Sequence, residues 1–410
     1  MNSKNFDIVL YGATSFVGQI TARYLLQEIG VSGSVKWAIA GRSETKLTEL
    51  KTSLGPTATS LPTIVADSAD GKSLDQLCQQ TRVVISTVGP YALYGEPLIK
   101  ACVENGNDYC DLTGEAYWIK QMIDMYQDKA KETGARIVNC CGFDSIPSDL
   151  GTYFLQQAAH KRFAGYLNQV KLGVRAMKGG ASGGTIASMI EMLIAAKANP
   201  KVRKAMANPY LLCPEGHTHK RRQKRLKGAA YDKDFQCWSA PFVMAIANTR
   251  VVRRSSEIHD KNQASYGNEF KYQEYMMLKK YSSAFLVTAG LAVFGLMLIS
   301  PISGLFRKLF TKAGNGPDKK TRENGWFESI FIGKNKNNEK YKLRMFCKGD
   351  PGYKSTAKLI CESALCLALN SENLPNTNAG GVLTTSTGLG STLIDRLKNA
   401  DVLFEGPSKI

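Results

Sequence analysis

The amino-acid sequence predicts an α/β protein: an N-terminal doubly wound parallel sheet, followed by a second α+β domain with a hydrophobic helical insertion. Between residues 5 and 150, short apolar runs alternate with amphipathic stretches, as in successive βαβ units. This alternation stops beyond Asp149, and 410 residues are too many for one ordinary hydrophobic core. Two domains, residues 1–150 and 151–410, are therefore expected.

Six brief apolar runs are the predicted strands of the first sheet. Helical periodicity or turn residues separate each run from the next. Six strands of this length suit one doubly wound domain. The runs are Phe6–Tyr11, Trp37–Ala40, Pro62–Val65, Val83–Thr87, Asn107–Asp111 and Arg136–Cys140.

The first strand runs directly into the glycine-containing turn GATSFVG, after which helical spacing begins. Gly12 permits a tight turn, Gly18 allows the helix to pack close to the strand, and free amides at a helix start favour a pyrophosphate. Ser15 stands where the related pattern GxxGxxG has its middle glycine. A strand-to-helix turn that binds nothing is the alternative. The predicted cofactor contacts are Gly12, Thr14, Ser15, Phe16, Val17 and Gly18.

The end of the second strand predicts a preference for NADP over NAD. An NAD-specific site normally has a carboxylate there for the ribose hydroxyls, whereas this chain has Arg42 followed by Ser43. A guanidinium can bind the 2′-phosphate of NADP, with Ser43 as a further donor. Asp67, just after the third strand, is placed either to contact the adenine or to cap a helix.

Polar residues follow the fourth, fifth and sixth strands, at the edge where doubly wound sheets bind ligands. Gly89, Pro90 and Tyr91 are expected beside the nicotinamide. Candidates for proton transfer are Tyr91, Asp111, Glu115 and Asp144, although each could instead be a cap or a turn ligand.

The second domain is predicted to be α+β. Strands are expected at Gln169–Ala176, Trp326–Ile332 and Tyr341–Cys347, the last two forming a hairpin, and helices at Ile186–Ala196 and Thr356–Leu369. The glycine-rich loop Lys178–Thr185 could present amides to a substrate or could be only a turn.

The chain is basic, with a formal net charge of +18 and a basic loop at residues 217–227. Such charge favours anionic ligands or partners. The loop is either solvated or in contact with lipid phosphates or an acidic partner. No recognised nucleic-acid-binding motif accompanies it, so no nucleic-acid partner is expected. The ten cysteines lack metal-ligand spacing, and His217 and His219 are too isolated for zinc, so no metal site is predicted.

Residues 281–306 contain no charged side chain. A helix ending at Pro301 would span about 18 residues, or roughly 27 Å, the lower limit for crossing a bilayer. Basic residues flank both ends and give no direction of insertion. If the segments on both sides belong to one folded domain, a single crossing would separate them, so monotopic membrane attachment is preferred, with a buried core or homodimer helix as the alternative. Because no signal peptide precedes the first strand, this attachment is expected on the cytosolic side.

At these residues the chain resembles the saccharopine dehydrogenase-like oxidoreductases, a group that includes mycobacterial trans-acting enoyl reductases and animal homologues associated with lipid droplets. The resemblance covers nearly the whole length. It is carried by GATSFVG (12–18), AGR (40–42), STVGPYALYGEPL (86–98), YCDLTGE (109–115), GFDSIPSDLG (142–151), KGGASGGTIAS (178–188), GDPGYKSTAK (349–358) and GGVLTTSTGLG (380–390).

The resemblance implies an NADP-binding Rossmann domain, a second α+β domain partly formed by the C-terminal segment, and a hydrophobic insertion that contacts membrane or lipid. It suggests hydride transfer between NADPH and an apolar, lipid-related substrate, as in an enoyl reductase. The alternative is a membrane-associated NADP-binding scaffold or redox sensor without turnover.

Overall fold

A computed structural model describes residues 4–163, 165–178, 183–217, 223, 226, 228–261, 266–267, 269–300, 316–375 and 380–410. Most of the predicted basic loop 217–227, the centre of the loop Lys178–Thr185 and residues 301–306 of the apolar segment lie outside these residues.

The first sheet has seven parallel strands in the order β13-β6-β5-β4-β1-β2-β3. All six predicted strands occur, with ends that differ by a few residues, so the predicted doubly wound sheet is confirmed. They are β1 Phe6–Tyr11, β2 Trp37–Gly41, β3 Thr63–Val65, β4 Thr81–Ser86, β5 Asp108–Asp111 and β6 Arg136–Val138.

Helices connect these strands and cover both faces of the sheet. Successive residues of β1 alternate between two cores, Ile8 and Leu10 in one and Val9 and Tyr11 in the other, because side chains alternate along a strand. The helices are α1 Phe16–Ile29, α2 Glu44–Leu54, α3 Gly71–Gln80, α4 Tyr91–Tyr94, α5 Glu96–Glu104, α6 Ala116–Thr133 and α7 Ile146–Phe163.

The second sheet is mixed, with strand order β14-β12-β11-β7-β10-β9-β8. The predicted hairpin is confirmed, since β11 and β12 pair antiparallel. The sequence prediction missed β8, β9, β10 and β14. The strands are β7 Gln169–Lys178, β8 Ala230–Asp232, β9 Cys237–Pro241, β10 Lys271–Leu278, β11 Trp326–Lys334, β12 Lys340–Lys348 and β14 Leu403–Lys409.

The remaining helices surround the second sheet and return to the first. They are α8 Gly183–Ala198, α9 Pro200–Ala207, α10 Ala245–Lys261, α11 Tyr281–Ile299, α12 Lys319–Glu323, α13 Lys354–Leu369, α14 Thr385–Gly388 and α15 Gly390–Asn399.

The C-terminal segment completes the first sheet. β13, Gly381–Leu383, pairs in parallel with β6, and α13 packs against α1 and β4. The two halves also share a core, in which Gly151 of α7 lies directly against the ring of Phe331. The division of the chain into two domains at residue 150 remains a prediction. It leaves out part of the first sheet, because residues 381–383 of the C-terminal segment belong to that sheet.

The helix predicted inside the apolar segment occurs as α11. Several of its apolar side chains are exposed, with Phe285 58%, Leu286 73% and Leu296 63% accessible. In the part of the chain that the structure describes, no helix combines the length and apolar character needed to cross a membrane.

Candidate functional site

The turn between β1 and α1 requires both of its glycines. Gly12 has a φ of +82°, and a Cβ there would lie 2.6 Å from Cγ2 of Val88. A Cβ at Gly18 would lie 2.3 Å from the carbonyl oxygen of Gly12. The helix therefore begins against the backbone of the turn, which is the close packing that the sequence pattern predicts.

The turn presents three unused amides at the start of α1. The amides of Gly12 and Ala13 donate to the carbonyl of Ala40, and that of Ser15 donates to Gly12. Within the described chain, the amides of the partly exposed residues Thr14, Phe16 and Val17 have no hydrogen-bond acceptor. Three free donors at the positive end of a helix dipole fit a pyrophosphate group.

Ser15, the departure from the glycine pattern, is the N-cap of α1. Its Oγ accepts from the amide of Gly18 at 3.0 Å and lies 3.2 Å from Oγ1 of Thr87. The side chain is therefore held between the helix start and the end of β4. Ser15 takes one donor from the helix end and leaves those of Phe16 and Val17 free.

Arg42 lies exposed immediately after β2, beside the same turn. A Cβ at the neighbouring Gly41 would be 3.8 Å from Oγ1 of Thr14, so the two loops are adjacent. The described residues contain no ion-pair partner for the Arg42 guanidinium. Arg42 thus fits the predicted contact with a 2′-phosphate.

Ser43 is the N-cap of α2, whereas the side chain of Asp67 closes a turn before α3. Oγ of Ser43 accepts from the amide of Lys46 at the start of α2. Oδ1 of Asp67 accepts from the amide of Ala69 at 3.0 Å, before α3. The cap of α3 is Asp70, so Asp67 does not cap that helix, and contacts of Ser43 or Asp67 with a nucleotide remain predictions.

The loop after β4 lies against the glycine turn. Oγ1 of Thr87 donates to the carbonyl of Gly12 at 2.9 Å, and Val88 fills the space beside that glycine. The cis peptide bond between Gly89 and Pro90 then leads into α4. This places Gly89–Tyr91 at the carboxyl edge of the sheet, where the nicotinamide is expected.

Tyr91 and Asp111, two of the four proton-transfer candidates, have fully engaged polar atoms. The Tyr91 hydroxyl donates to the carbonyl of Ser86 and accepts from the amide of Leu112, and burial raises its pKa well above the usual value. The Asp111 carboxylate is completely buried and accepts four hydrogen bonds. The hydrogen bonds of Tyr91 and Asp111 therefore connect the ends of neighbouring strands.

Glu115 is also engaged. Its carboxylate accepts from the amides of Tyr91 and Ala92 at 2.9 and 2.8 Å, and from Oγ of Ser188 at 2.7 Å. Glu115 therefore holds the first turn of α4 and connects it to α8 of the second sheet region. Ser188 belongs to the KGGASGGTIAS motif, but its role could not be assigned from the sequence alone.

Asp144 differs from the other three candidates. Its carboxyl group has no hydrogen-bond or ion-pair partner among the residues that the structure covers. A Cβ at Gly114 would lie 3.7 Å from Oδ2 of Asp144 and 3.8 Å from Cε of Met244. Burial raises the pKa of Asp144 to about 7, with no hydrogen bond to offset it. A carboxyl group of this kind can carry a transferable proton at neutral pH.

A buried hydrogen-bond network begins next to Asp144. Oγ of Ser145 donates to Oδ1 of Asn248, whose Nδ2 donates to Oε2 of Glu274, each at 3.1 Å. The hydroxyl of Tyr272 donates to Oε1 of Glu274, and burial raises the pKa of that glutamate to about 7. Glu274 was not predicted, although an acidic residue within the run KYQEYMML is a signal that could have identified it.

No group of histidine, cysteine and carboxylate side chains with the arrangement of a metal site occurs among the described residues. The ten cysteines are free thiols, nine of them buried.

The sequence matches the family model of the saccharopine dehydrogenase NADP-binding domain over residues 8–138, which contain the glycine turn and Arg42. A putative trans-acting enoyl reductase of Mycobacterium tuberculosis is 40% identical, with 98% of this chain and 97% of that protein aligned. A trans-acting enoyl reductase of Mycobacterium ulcerans is 36% identical, with the same coverage. Apo saccharopine dehydrogenase (L-Glu forming) of Saccharomyces cerevisiae shares the fold, with a TM-score of 0.53 and 11% identity over 99% of this chain and 100% of that one.

Proposed function

This chain belongs to the family of the trans-acting enoyl reductases, and we propose that it reduces a carbon–carbon double bond conjugated to the carbonyl of an apolar, lipid-related acyl substrate. Its NADP-binding domain makes it an NADP-dependent oxidoreductase. The identity of the acceptor is the part that is proposed. The observation that carries it is the unpartnered carboxyl group of Asp144 at the ligand-binding edge of the first sheet.

The protein residues have separate roles in this proposal. The amides of Thr14, Phe16 and Val17 would hold the pyrophosphate, and Arg42 would hold the 2′-phosphate. When bound, NADPH would supply the hydride that the β carbon of the acyl group receives. The electron pair of the double bond moves toward the α carbon and carbonyl, and Asp144 donates its proton to the α carbon. Water then returns a proton to the Asp144 carboxylate.

One apolar side chain near Asp144 and two exposed ones on α4 support an acyl substrate. Cε of Met244 approaches the same glycine as the carboxyl group. Leu93 and Tyr94, in the helix that follows the expected nicotinamide loop, are 53% and 45% exposed. Such side chains suit a hydrocarbon chain better than a charged metabolite.

The experiment compares Asp144→Asn with Asp128→Asn, a matched change at an exposed aspartate of α6. Crotonyl-CoA and longer enoyl thioesters are the probes, with NADPH oxidation as the readout. Loss of a general acid lowers kcat by about 100-fold or more, whereas the dissociation constant of NADPH should change less than about twofold.

Two results would contradict the proposal in different ways. An Asp144→Asn enzyme with nearly full kcat would exclude Asp144 as the proton donor. Tight NADPH binding by the wild type, without turnover of any enoyl thioester in the series, would favour the scaffold or redox sensor.

We also propose monotopic attachment to the cytosolic face of a membrane through α11. The exposed side chains of Phe285, Leu286 and Leu296 support it, together with the basic pair Lys279 and Lys280 before the helix. An apolar helix surface flanked by cations is typical of interfacial helices.

Co-sedimentation with phosphatidylcholine–phosphatidylserine vesicles tests this attachment. The double variant Leu286→Gln with Leu296→Gln should remain in the supernatant. The control, Met125→Gln with Leu369→Gln, changes apolar side chains that are also exposed but lie elsewhere, and it should sediment. Equal sedimentation of both variants would exclude the helix as the anchor, and conversion of a dimer to a monomer by the first variant alone would assign α11 to a homodimer contact.

A further inference from the structure

Three groups from the C-terminal half of the chain contact one side chain of the cofactor turn, Phe16. Phe16 is the first residue of α1, and its backbone amide is one of the three free donors. The ring of Tyr353 meets the Phe16 ring edge-on, with centroids 4.8 Å apart. Gly316 lies against the same ring so closely that a Cβ there would be 2.1 Å from Cε1 of Phe16.

Arg322 of α12 is the third group on this ring. Its guanidinium carbon lies 5.3 Å from the ring centroid of Phe16. One Nη donates to the carbonyl of Pro317, and no carboxylate among the described residues forms an ion pair with the guanidinium. The remaining N–H groups are therefore available beside the start of α1.

Two acidic residues, Asp318 and Asp350, lie near enough for the charge of Arg322 to favour their ionised forms, but neither forms an ion pair with it. Oδ1 of Asp318 accepts from the amide of Thr321, and Oδ1 of Asp350 accepts from the amide of Lys354. Among the described residues, Arg322 is thus held by stacking and by one backbone hydrogen bond, and Oδ2 of the nearby Asp350 has no hydrogen-bond partner.

We propose that Arg322 binds the diphosphate of the nicotinamide cofactor, so that the cofactor site includes a residue from beyond the N-terminal domain. A planar guanidinium can donate two parallel hydrogen bonds to phosphate oxygens. Arg322 lies over the side chain of Phe16, the residue whose own amide would bind the same group. Cofactor binding would then tie residues 316–323 to the first sheet.

This inference rests on NADP(H) binding and is independent of the acyl substrate. It also differs from the contact assigned to Arg42, because Arg42 faces the 2′-phosphate at the other end of the adenosine. The two arginines can therefore be separated with a ligand that has only one of the phosphate groups.

The test measures dissociation constants of NADPH and of adenosine 2′-monophosphate, which lacks the diphosphate. Arg322→Gln should weaken NADPH binding by about tenfold or more and change binding of the monophosphate less than about twofold. Arg42→Gln should weaken both ligands. Arg322→Lys should lie between wild type and Arg322→Gln for NADPH, because a lysine keeps the charge but not the paired donors.

Lys320→Gln is the matched control, since Lys320 is an exposed cation of the same helix. Equal NADPH affinities for Arg322→Gln and Lys320→Gln would overturn the proposal. So would equal weakening of NADPH and the monophosphate by Arg322→Gln, because the effect would then come from a general disturbance of the turn. Thermal unfolding of each variant verifies that it is folded.

Discussion

At the scale of single residues, three carboxylates of the site differ in the donors that surround them. Asp111 and Glu115 accept four and three hydrogen bonds, respectively. Hydrogen bonds to the charged form of Asp111 oppose the effect of burial, which still raises its pKa to about 6. Asp144 accepts none, and burial then favours its protonated form.

The pH dependence of turnover follows from the protonated form of Asp144. Because its pKa is raised to about 7, kcat for reduction should be constant at lower pH and should fall as the pH rises through this value. Asp144→Asn should lack this fall and have a low kcat throughout. A wild-type profile without a transition near pH 7, measured with a saturating enoyl thioester, would argue against Asp144.

Stability should follow the same titration. The folded-state pKa lies above the unfolded value of 3.8, so the contribution of Asp144 to stability is fully present below about pH 4 and is lost as the pH rises toward 7. In urea unfolding, the free energy of unfolding of Asp144→Asn minus that of the wild type should therefore be larger at pH 8 than at pH 5. A difference that does not change with pH would contradict the raised pKa.

At the scale of elements, the start of α4 depends on a carboxylate from another strand. Pro90 has no side-chain cap to offer, and the amides of Tyr91 and Ala92 donate to Glu115. Ser188 of α8 donates to the same group. The loop expected beside the nicotinamide is thereby connected to a helix of the second sheet region.

Replacing Glu115 by Gln should loosen this junction. The amide nitrogen of Gln cannot accept from a backbone N–H, so at least one buried donor loses its partner, at a cost of about 1–3 kcal/mol in the free energy of unfolding. NADPH binding should weaken as well. Ser188→Ala removes only one hydrogen bond and should cost about 0.5–1.5 kcal/mol. Urea unfolding measures both free energies. Equal decreases for the two variants would show that the hydrogen bonds from the α4 amides to Glu115 contribute no stability.

At the scale of the whole molecule, Asp149 joins three distant segments. This completely buried residue of α7 accepts from Oγ of Ser255 in α10, and from Oγ1 of Thr385 and both the amide and Oγ of Ser386 in α14. Arg254, which precedes Ser255 in α10, donates to the carbonyl of Val382 in β13. The C-terminal segment therefore pairs with the first sheet through β13 and is hydrogen-bonded to α7 and α10.

Asp149→Ala should destabilise the chain by about 2–5 kcal/mol, because several buried donors lose their acceptor. Unfolding should remain one cooperative transition, since the segment that carries β13 belongs to the first sheet. Asp395→Ala, a change at an exposed aspartate of α15, is the control and should have an effect within about 0.5 kcal/mol. Calorimetry with two separated transitions would contradict this view of the fold.

The elements that could be predicted have strong local signals. The six N-terminal runs are apolar because both faces of a parallel sheet are covered, and the hairpin β11–β12 alternates around a polar turn. β13 has only three residues, and β10 mixes polar and aromatic residues. Their strand conformation depends on partners from distant segments, which local periodicity does not report.

The glycine turn, the cation after β2 and the parallel strands could be predicted from the amino-acid sequence, because they follow from the conformational and packing needs of neighbouring residues. The carboxyl group that lacks a partner and the arginine that lies over Phe16 became evident only in the folded chain. Those properties depend on groups brought together across the chain: Glu115 meets Ser188, and Phe16 meets Arg322. Hydrogen-bond partners and burial are set by folding, so residue type alone could not separate a structural carboxylate from a proton donor.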